Sequence, residues 1–164
     1  MKVESDEVRL KDEKWQAFLE GKVVEQVLGG RMNGRYTVEN DPEVIIQLRD
    51  PYLWWDNNFP GFFMLFRDDD SETELVLRCW YRLEQGGSYP ISEHVDHVDA
   101  CFLRKDVTSG GISYTVPKGT FHVRFLEAQA VEGFFDFEFK VNFGSGRYRG
   151  VSFRCDKFDV RLNA

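Results

Sequence analysis

The segment from Phe134 to Phe143 constrains the fold more than any other part of the chain. It reads FFDFEFKVNF, and from Phe135 onward phenylalanine or valine at odd positions alternates with charged or polar residues at even positions. Successive side chains of a β-strand point to opposite faces, and strict alternation therefore predicts a strand with one buried and one polar face. A helical period of 3.6 residues would scatter these phenylalanines around the helix axis.

The chain after this segment predicts a second strand of the same hairpin. Gly144–Gly146 provides the glycines that a tight connection with positive φ angles needs. Apolar residues alternate from Val151 to Cys155 and again from Phe158 to Leu162, but the second set is one residue out of phase. A β-bulge near Asp156–Lys157 would return both sets to the same face.

Further strands are predicted where short apolar runs stand between turn residues. They are Val44–Leu48, Phe62–Phe66, Glu74–Leu83, Ala100–Arg104, Gly111–Val116 and a strand from Thr120. The stretch from Trp15 to Leu28 fits two structures: its apolar residues recur at helical spacing, and it also reads as a hairpin around Glu20–Lys22. We favour strands there because the rest of the chain is β.

These elements predict one all-β domain over residues 1–164, with residues 1–12 as a disordered tail. The expected architecture is an antiparallel β-sandwich or open β-barrel of about 8–10 strands, with room for one short N-terminal helix. Hydrophobic residues make up 42% of the chain and aromatic residues 15%, which is enough to build a core without disulfides.

Charge and cysteine content exclude several classes of protein. The net charge is −7, whereas a general nucleic-acid binder needs a basic face, and we predict no nucleic-acid partner. Arg147, Arg149 and Arg154 form the nearest approach to a basic cluster, and we interpret them as solvated edge residues. The three cysteines form no Cys-x-x-Cys pair, which argues against a zinc ribbon or a disulfide scaffold and suits a reducing compartment.

The N-terminal sequence bears on location. It is charged and has no apolar signal-peptide core, and no apolar run approaches the ~20 residues of a membrane span. We therefore expect a soluble cytoplasmic protein if Met1 is the native start, and an envelope location if a leader has been removed.

The segment from Pro51 to Pro60 is the first candidate binding site. Its prolines and Asp and Asn residues predict a loop, and aromatic rings beside amide and carboxylate groups suit a sugar or peptide. The candidate ligand-binding residues are Tyr52, Trp54, Trp55, Asp56, Asn57 and Asn58. In the alternative interpretation, the Trp rings fold inward and cover one end of the sandwich.

The segment from Glu93 to Asp99 concentrates histidines and carboxylates. Its candidate divalent-metal ligands are His94, Asp96, His97 and Asp99. The same composition is typical of a solvated acidic loop, which is the interpretation that we prefer, and we predict neither a metal site nor a cofactor.

No catalytic motif emerges from the rest of the sequence. His122 would need a nucleophile and an orienting carboxylate in space, and the chain has no Gly-x-Ser-x-Gly elbow. Asp136 and Glu138 share a strand face, as carboxylates do on most amphipathic strands. The glycines from Gly144 to Gly150 lead into a strand, whereas a phosphate loop leads into a helix.

Six short motifs follow one another along the second half of the chain, and Trp15 lies near its beginning. The motifs are Gly87–Tyr89, Ala100–Phe102, Gly119–Val123, Gly133–Phe137, Gly150–Phe153 and Phe158–Val160. In this order the chain resembles small bacterial all-β domains of unknown function, which are often found on lipid-anchored chains. The resemblance implies a β-sandwich or open barrel and no known activity.

Three functional hypotheses follow from the sequence. The first is a non-catalytic binding module that holds a small molecule, glycan or peptide with the aromatic segment. The second is an acidic protein-interaction protein of the immunity or inhibitor type, directed at a basic partner. The third, which we favour least, is a metal-dependent enzyme.

Overall fold

The computed structural model describes residues 25–26, 29–55, 62–79, 83–92, 98–127 and 130–161. These ranges contain twelve strands and one four-residue helix. The strands are β1 (Glu25–Gln26), β2 (Arg31–Val38), β3 (Val44–Arg49), β4 (Tyr52–Trp55), β5 (Phe62–Asp68), β6 (Thr73–Cys79), β7 (Ser88–Ile91), β8 (Asp99–Arg104), β9 (Ser113–Tyr114), β10 (Lys118–Glu127), β11 (Ala130–Gly144) and β12 (Arg147–Arg161). The helix, α1, is Lys105–Thr108.

The strands form two antiparallel sheets. The small sheet has five strands in the order β1-β4-β5-β6-β8. The large sheet has seven, in the order β3-β2-β12-β11-β10-β7, with β9 paired to β11 outside that path. Within the described residues neither sheet closes on itself, and the all-β antiparallel architecture that the sequence predicts is confirmed, in a form consistent with a sandwich.

Aromatic rings join the two sheets. The ring of Phe102 in β8 lies 4.8 Å from that of Phe153 in β12 and 5.3 Å from that of Tyr36 in β2, centroid to centroid. Phe135 stacks on Phe153 within the large sheet, with 5.8 Å between their centroids. Offset rings at these separations add attraction to the hydrophobic burial, and the core between the sheets is therefore largely a phenylalanine cluster.

The alternating segment forms β11 with the predicted faces. Phe135, Phe137 and Phe139 are buried, whereas Asp136 and Glu138 are exposed. Its turn to β12 has positive φ at Ser145 (54°) and Gly146 (74°), as in a type I′ hairpin. The turn is therefore of the kind that the glycines predict.

The predicted bulge in the last strand is also confirmed. Along β2, Gly34 pairs with Cys155 and Asn33 pairs with Lys157, so that Asp156 is passed over. Cys155, before the bulge, is buried. Because of the shift, Phe158, after the bulge, is buried on the same face.

Other parts of the sequence prediction differ from the structure. The described ranges contain more strands than the eight to ten expected, because β2 and β7 were not predicted and two strands have only two residues. Of the ambiguous stretch from Trp15 to Leu28, only Glu25–Gln26 is described as an element, and it is a strand paired with β4. The predicted tail at residues 1–12 lies outside the described residues.

Among the described residues, no helix is both long and apolar enough to cross a membrane.

Candidate functional site

The aromatic segment begins as a strand. Tyr52–Trp55 forms β4, which corrects the prediction that a loop starts at Pro51. Four consecutive β-favouring residues pair along β5, with Tyr52 opposite Leu65 and Trp54 opposite Phe63. The side chains of Trp54 and Trp55, and the whole of Asp56, Asn57 and Asn58, lie outside the described part.

Tyr52 itself is half-buried, and the Arg67 guanidinium lies 5.9 Å from the centroid of its ring. This is cation–π distance, so one face of the tyrosine ring is occupied by the protein's own cation. The binding role of the whole segment stays a prediction.

The neighbouring strands carry a second apolar layer on the side of the small sheet that faces away from the large sheet. We call this side the outer face of the small sheet. Its side chains Phe63, Leu65 and Val76 are 0%, 5% and 9% exposed. None of the three belongs to the cluster between the sheets. The centre of the small sheet is therefore buried on both faces, whereas Arg67 and Cys101 at the margins of the outer face are exposed.

Ion pairs border this buried layer. Arg78 Nε donates to Asp99 Oδ2 at 2.5 Å, and Arg67 Nε donates to Glu74 Oε1 at 3.2 Å. Asp99 is the one predicted metal-ligand candidate that the structure describes, and its carboxylate is engaged by an arginine. His94, Asp96 and His97 lie outside the described ranges. Within those ranges, no group of three or more His, Cys, Asp or Glu side chains could hold a metal ion.

His122 lies on the large sheet beside a serine. Its Nδ1 is 2.7 Å from Ser88 Oγ, and its ring stacks on Phe134 with 4.3 Å between centroids. Nucleophilic catalysis also needs a carboxylate that orients the imidazole and donors for an oxyanion. Among the described side chains, no carboxylate bonds to the ring of His122, and the serine–histidine pair does not form a triad.

The cysteines are not activated either. Partial desolvation by surrounding atoms, with the carboxylates of Asp99 and Glu74, raises the pKa of the Cys101 thiol to about 11, although its side chain reaches solvent. Burial raises the pKa of Cys155 as well. The thiolate is the reactive form, so both thiols are poor nucleophiles at neutral pH.

The open side of the large sheet carries a groove that the sequence prediction missed. Two adjoining hollows of about 780 and 910 Å³ are both lined by Thr37, Lys118, Glu138 and Ser152. These four residues form one row across β2, β12, β11 and β10, because Thr37 pairs with Ser152, Ser152 with Glu138, and Glu138 with Lys118. We call this surface the polar groove.

Gly150 deepens the polar groove at its second hollow. A Cβ atom added there would have its nearest neighbour, Glu39 Oε2, at 3.5 Å, so a methyl group fits above the glycine in ordinary van der Waals contact. Two hydrogen bonds to the backbone of Gly150 hold Glu39 at the rim. Glu39 N donates to Gly150 O at 2.9 Å, and Gly150 N donates to Glu39 Oε2 at 3.1 Å. The groove floor is thus set by paired backbone and not by a loop.

A second missed surface lies where the β11–β12 hairpin ends. Ile112, Tyr148 and Tyr114 are 72%, 55% and 46% exposed there. A hollow of about 590 Å³ beside them is lined by Gly110, Phe143, Gly146, Arg147, Tyr148 and Arg149. We call these residues, with Ile112 and Tyr114, the hairpin end. The arginines of this surface are visible in the sequence, which by itself favours solvated edge residues for Arg147 and Arg149.

Comparison of the chain with protein-family models, with curated proteins and with solved structures gives no match in any of the three.

Proposed function

We propose that the protein is a non-catalytic binding module that holds a polar ligand in the polar groove. The observation that carries this proposal is the row of ammonium, carboxylate and hydroxyl groups in register across four strands of the large sheet. Groups fixed on paired strands keep their spacing without a bound ligand, which lowers the entropy cost of binding.

The charges of the groove are available to a ligand. In the described part of the chain, Lys118, Glu138 and Lys140 form no ion pair with another side chain. Arg35 and Arg154, which also line the first hollow, both reach Asp156, at 3.4 and 3.3 Å, so their guanidinium groups are paired within the protein. The donors and acceptors that remain for a ligand are therefore those of the shared row and of Lys140.

The chemistry of the lining indicates the class of ligand. Hydroxyls at Thr37 and Ser152 both donate and accept, Lys118 donates and Glu138 accepts. A ligand rich in hydroxyl groups satisfies such a mixed set without a large net charge, and short glycans belong to this class. A groove of several hundred Å³ accommodates a ligand of that size.

The experiment is a titration of the protein with a panel of neutral oligosaccharides, followed by two-dimensional NMR of the backbone amides. We expect the largest shifts at residues 118, 138, 150 and 152. Gly150→Leu should project a side chain into the second hollow and abolish binding with the fold intact. Glu127→Leu, which also places a leucine on the large sheet, should bind as the native protein does.

The aromatic segment is the competing location, and the same titration distinguishes the two. If the double substitution Trp54→Ala and Trp55→Ala removes binding while Gly150→Leu retains it, the ligand belongs to the aromatic segment. If no oligosaccharide produces saturable shifts at millimolar concentration, glycans are the wrong class.

A further inference from the structure

We propose that the hairpin end is a docking surface for a partner protein, and that it takes a segment of the partner in which acidic residues alternate with apolar ones. This surface shares no lining residue with the polar groove, so either proposal can be wrong without affecting the other.

The apolar part of the surface is presented by bonded backbone. Ile112 N donates to Asn142 O at 2.7 Å, and Thr115 N donates to Lys140 O at 2.9 Å, so the strand β9 between them is fixed along β11. The Asn142 amide also donates to Ser113 Oγ at 3.3 Å. Single exposed apolar side chains are common on a monomer, but apolar side chains that adjoin one another in a contiguous patch mark an interaction surface.

The exposed tyrosine of β9 and the exposed isoleucine just before this strand lie against residues of β11. A Cβ added at Gly144 would lie 2.9 Å from Ile112 Cδ1, which shows how closely the isoleucine covers that glycine. Tyr114 meets Phe139 edge to face, with 6.4 Å between ring centroids. The exposed isoleucine and tyrosine therefore continue outward from the phenylalanine core.

The charge of the surface selects the partner. The Arg149 guanidinium lies 5.5 Å from the centroid of Phe143, and Arg147 lines the same hollow. Neither arginine has an acidic partner in the part of the chain that the structure describes, although the whole chain carries a net charge of −7. Two uncompensated guanidinium groups beside exposed rings complement carboxylates that are spaced by apolar side chains.

Tyrosine and arginine are the residues that most often dominate the energy of protein interfaces. Tyr114 and Arg149 both pair with Val141, from opposite sides of β11, so their side chains lie on the same face of the sheet, whereas Tyr148 points to the other face. A tyrosine ring buries area at a small entropy cost, and a guanidinium group binds a carboxylate with two parallel hydrogen bonds. These features favour a protein partner over an anionic membrane as the occupant.

The test uses the full chain and a synthetic peptide of alternating Glu and Leu, with a peptide of alternating Gln and Leu as its neutral counterpart. Binding is measured by NMR titration at low and at physiological salt. We expect the acidic peptide to shift amides at residues 112–114 and 143–149, and to bind at least about tenfold more tightly than the neutral peptide.

Charge reversal supplies the variant and its matched control. Arg147→Glu with Arg149→Glu should weaken binding of the acidic peptide at least about tenfold. Arg31→Glu with Arg49→Glu changes the net charge equally, on two exposed arginines that pair across β2 and β3, and should change the affinity less than about twofold. Circular dichroism verifies that both variants are folded.

Four results would overturn the proposal. They are equal affinity for the two peptides, equal loss in the two double variants, no binding of the acidic peptide at millimolar concentration, and binding to vesicles of phosphatidylcholine and phosphatidylserine without binding to the peptide. Self-association through the same amides would also overturn it, because the occupant would then be a second copy of this chain.

Discussion

The outward-facing sides of the two sheets differ in what they present to their surroundings. On the small sheet, Phe63 and Leu65 point away from the inter-sheet core and are nevertheless buried. On the large sheet, Asp136, Glu138 and Ser152 occupy the corresponding side and are exposed. The two sheets share one core, but only the large sheet leaves its outer face open to a ligand. The difference shows that an open face belongs to strands in which apolar and polar residues strictly alternate.

The sequence of each strand explains the difference. β11 alternates strictly, so only one of its faces can be buried without burying a charge. β5 begins with five apolar residues in a row, Phe62–Phe66, and such a strand is stable only when both of its faces are covered. This contrast can be tested one side chain at a time.

The largest expected effect is at Phe63. Phe63→Ala removes a fully buried ring from the outer face of the small sheet, and we expect the free energy of unfolding to fall by about 3–5 kcal/mol. Phe153→Ala, in the inter-sheet core, should cost a similar amount. Urea denaturation measures both, and a loss below about 1 kcal/mol for Phe63→Ala would show that the outer layer is not packed.

The next effect is a comparison of two glycines of the large sheet. A Cβ at Gly119 would lie 1.9 Å from Asp136 O and 2.6 Å from Phe137 Cα, which are backbone atoms that no rotamer change can move. We expect Gly119→Ala to lower the free energy of unfolding by about 1–3 kcal/mol. Gly150→Ala meets only Glu39 Oε2, at an ordinary contact distance of 3.5 Å, and should change it by less than about 0.5 kcal/mol. Equal losses in the two variants would contradict a groove with room above Gly150.

A third effect concerns a thiol at the margin of the outer face of the small sheet. Because the pKa of Cys101 is raised to about 11, its alkylation by iodoacetamide at pH 8 should be at least about tenfold slower than in the unfolded chain. The rate should increase with pH until about 11, where the thiolate becomes the main form. Mass spectrometry of the native protein and of Cys101→Ser measures this, and rapid labelling of Cys101 at pH 8 would contradict it.

The smallest effect separates the two ion pairs at the border of the small sheet. The Arg78 and Asp99 side chains are 25% and 27% exposed, whereas those of Arg67 and Glu74 are 41% and 39% exposed. We expect Asp99→Asn to cost about 1 kcal/mol and Glu74→Gln less than about 0.5 kcal/mol, because solvent screens the more exposed pair. Thermal unfolding in low salt orders the two. Equal losses would mean that the border is equally solvated throughout, and a larger loss for Glu74→Gln would contradict the argument from exposure.

The strands that could be predicted from sequence are those in which alternation is long or the turn residues are diagnostic. β11 and the bulge in β12 belong to this class. β2 alternates in the same way at Met32, Tyr36 and Val38, but Gly34 interrupts the pattern and two further glycines precede it. Gly34 is needed there because a Cβ would come within 3.0 Å of Arg154 O, a tertiary constraint that local sequence does not express.

The candidate surfaces were harder to predict than the strands. The polar groove combines Thr37, Lys118 and Ser152, which are distant in sequence and become neighbours only through the pairing of β2, β12, β11 and β10. The sequence points instead to the aromatic segment, because the composition of a short segment can be read directly, whereas the pairing register of distant strands cannot. At the hairpin end, the arginines were visible, but the exposure of Ile112 depends on where β9 docks.

The β11–β12 hairpin also has a consequence for how the chain reaches its native state. Its strands have fifteen residues each and meet at a two-residue turn, so they can pair progressively from Ser145–Gly146 with little loop-closure entropy. The pairing of β12 with β2 joins segments from opposite ends of the chain, and such contacts form slowly. We expect substitutions in the hairpin to alter the folding rate, and substitutions in β2 to alter mainly the unfolding rate.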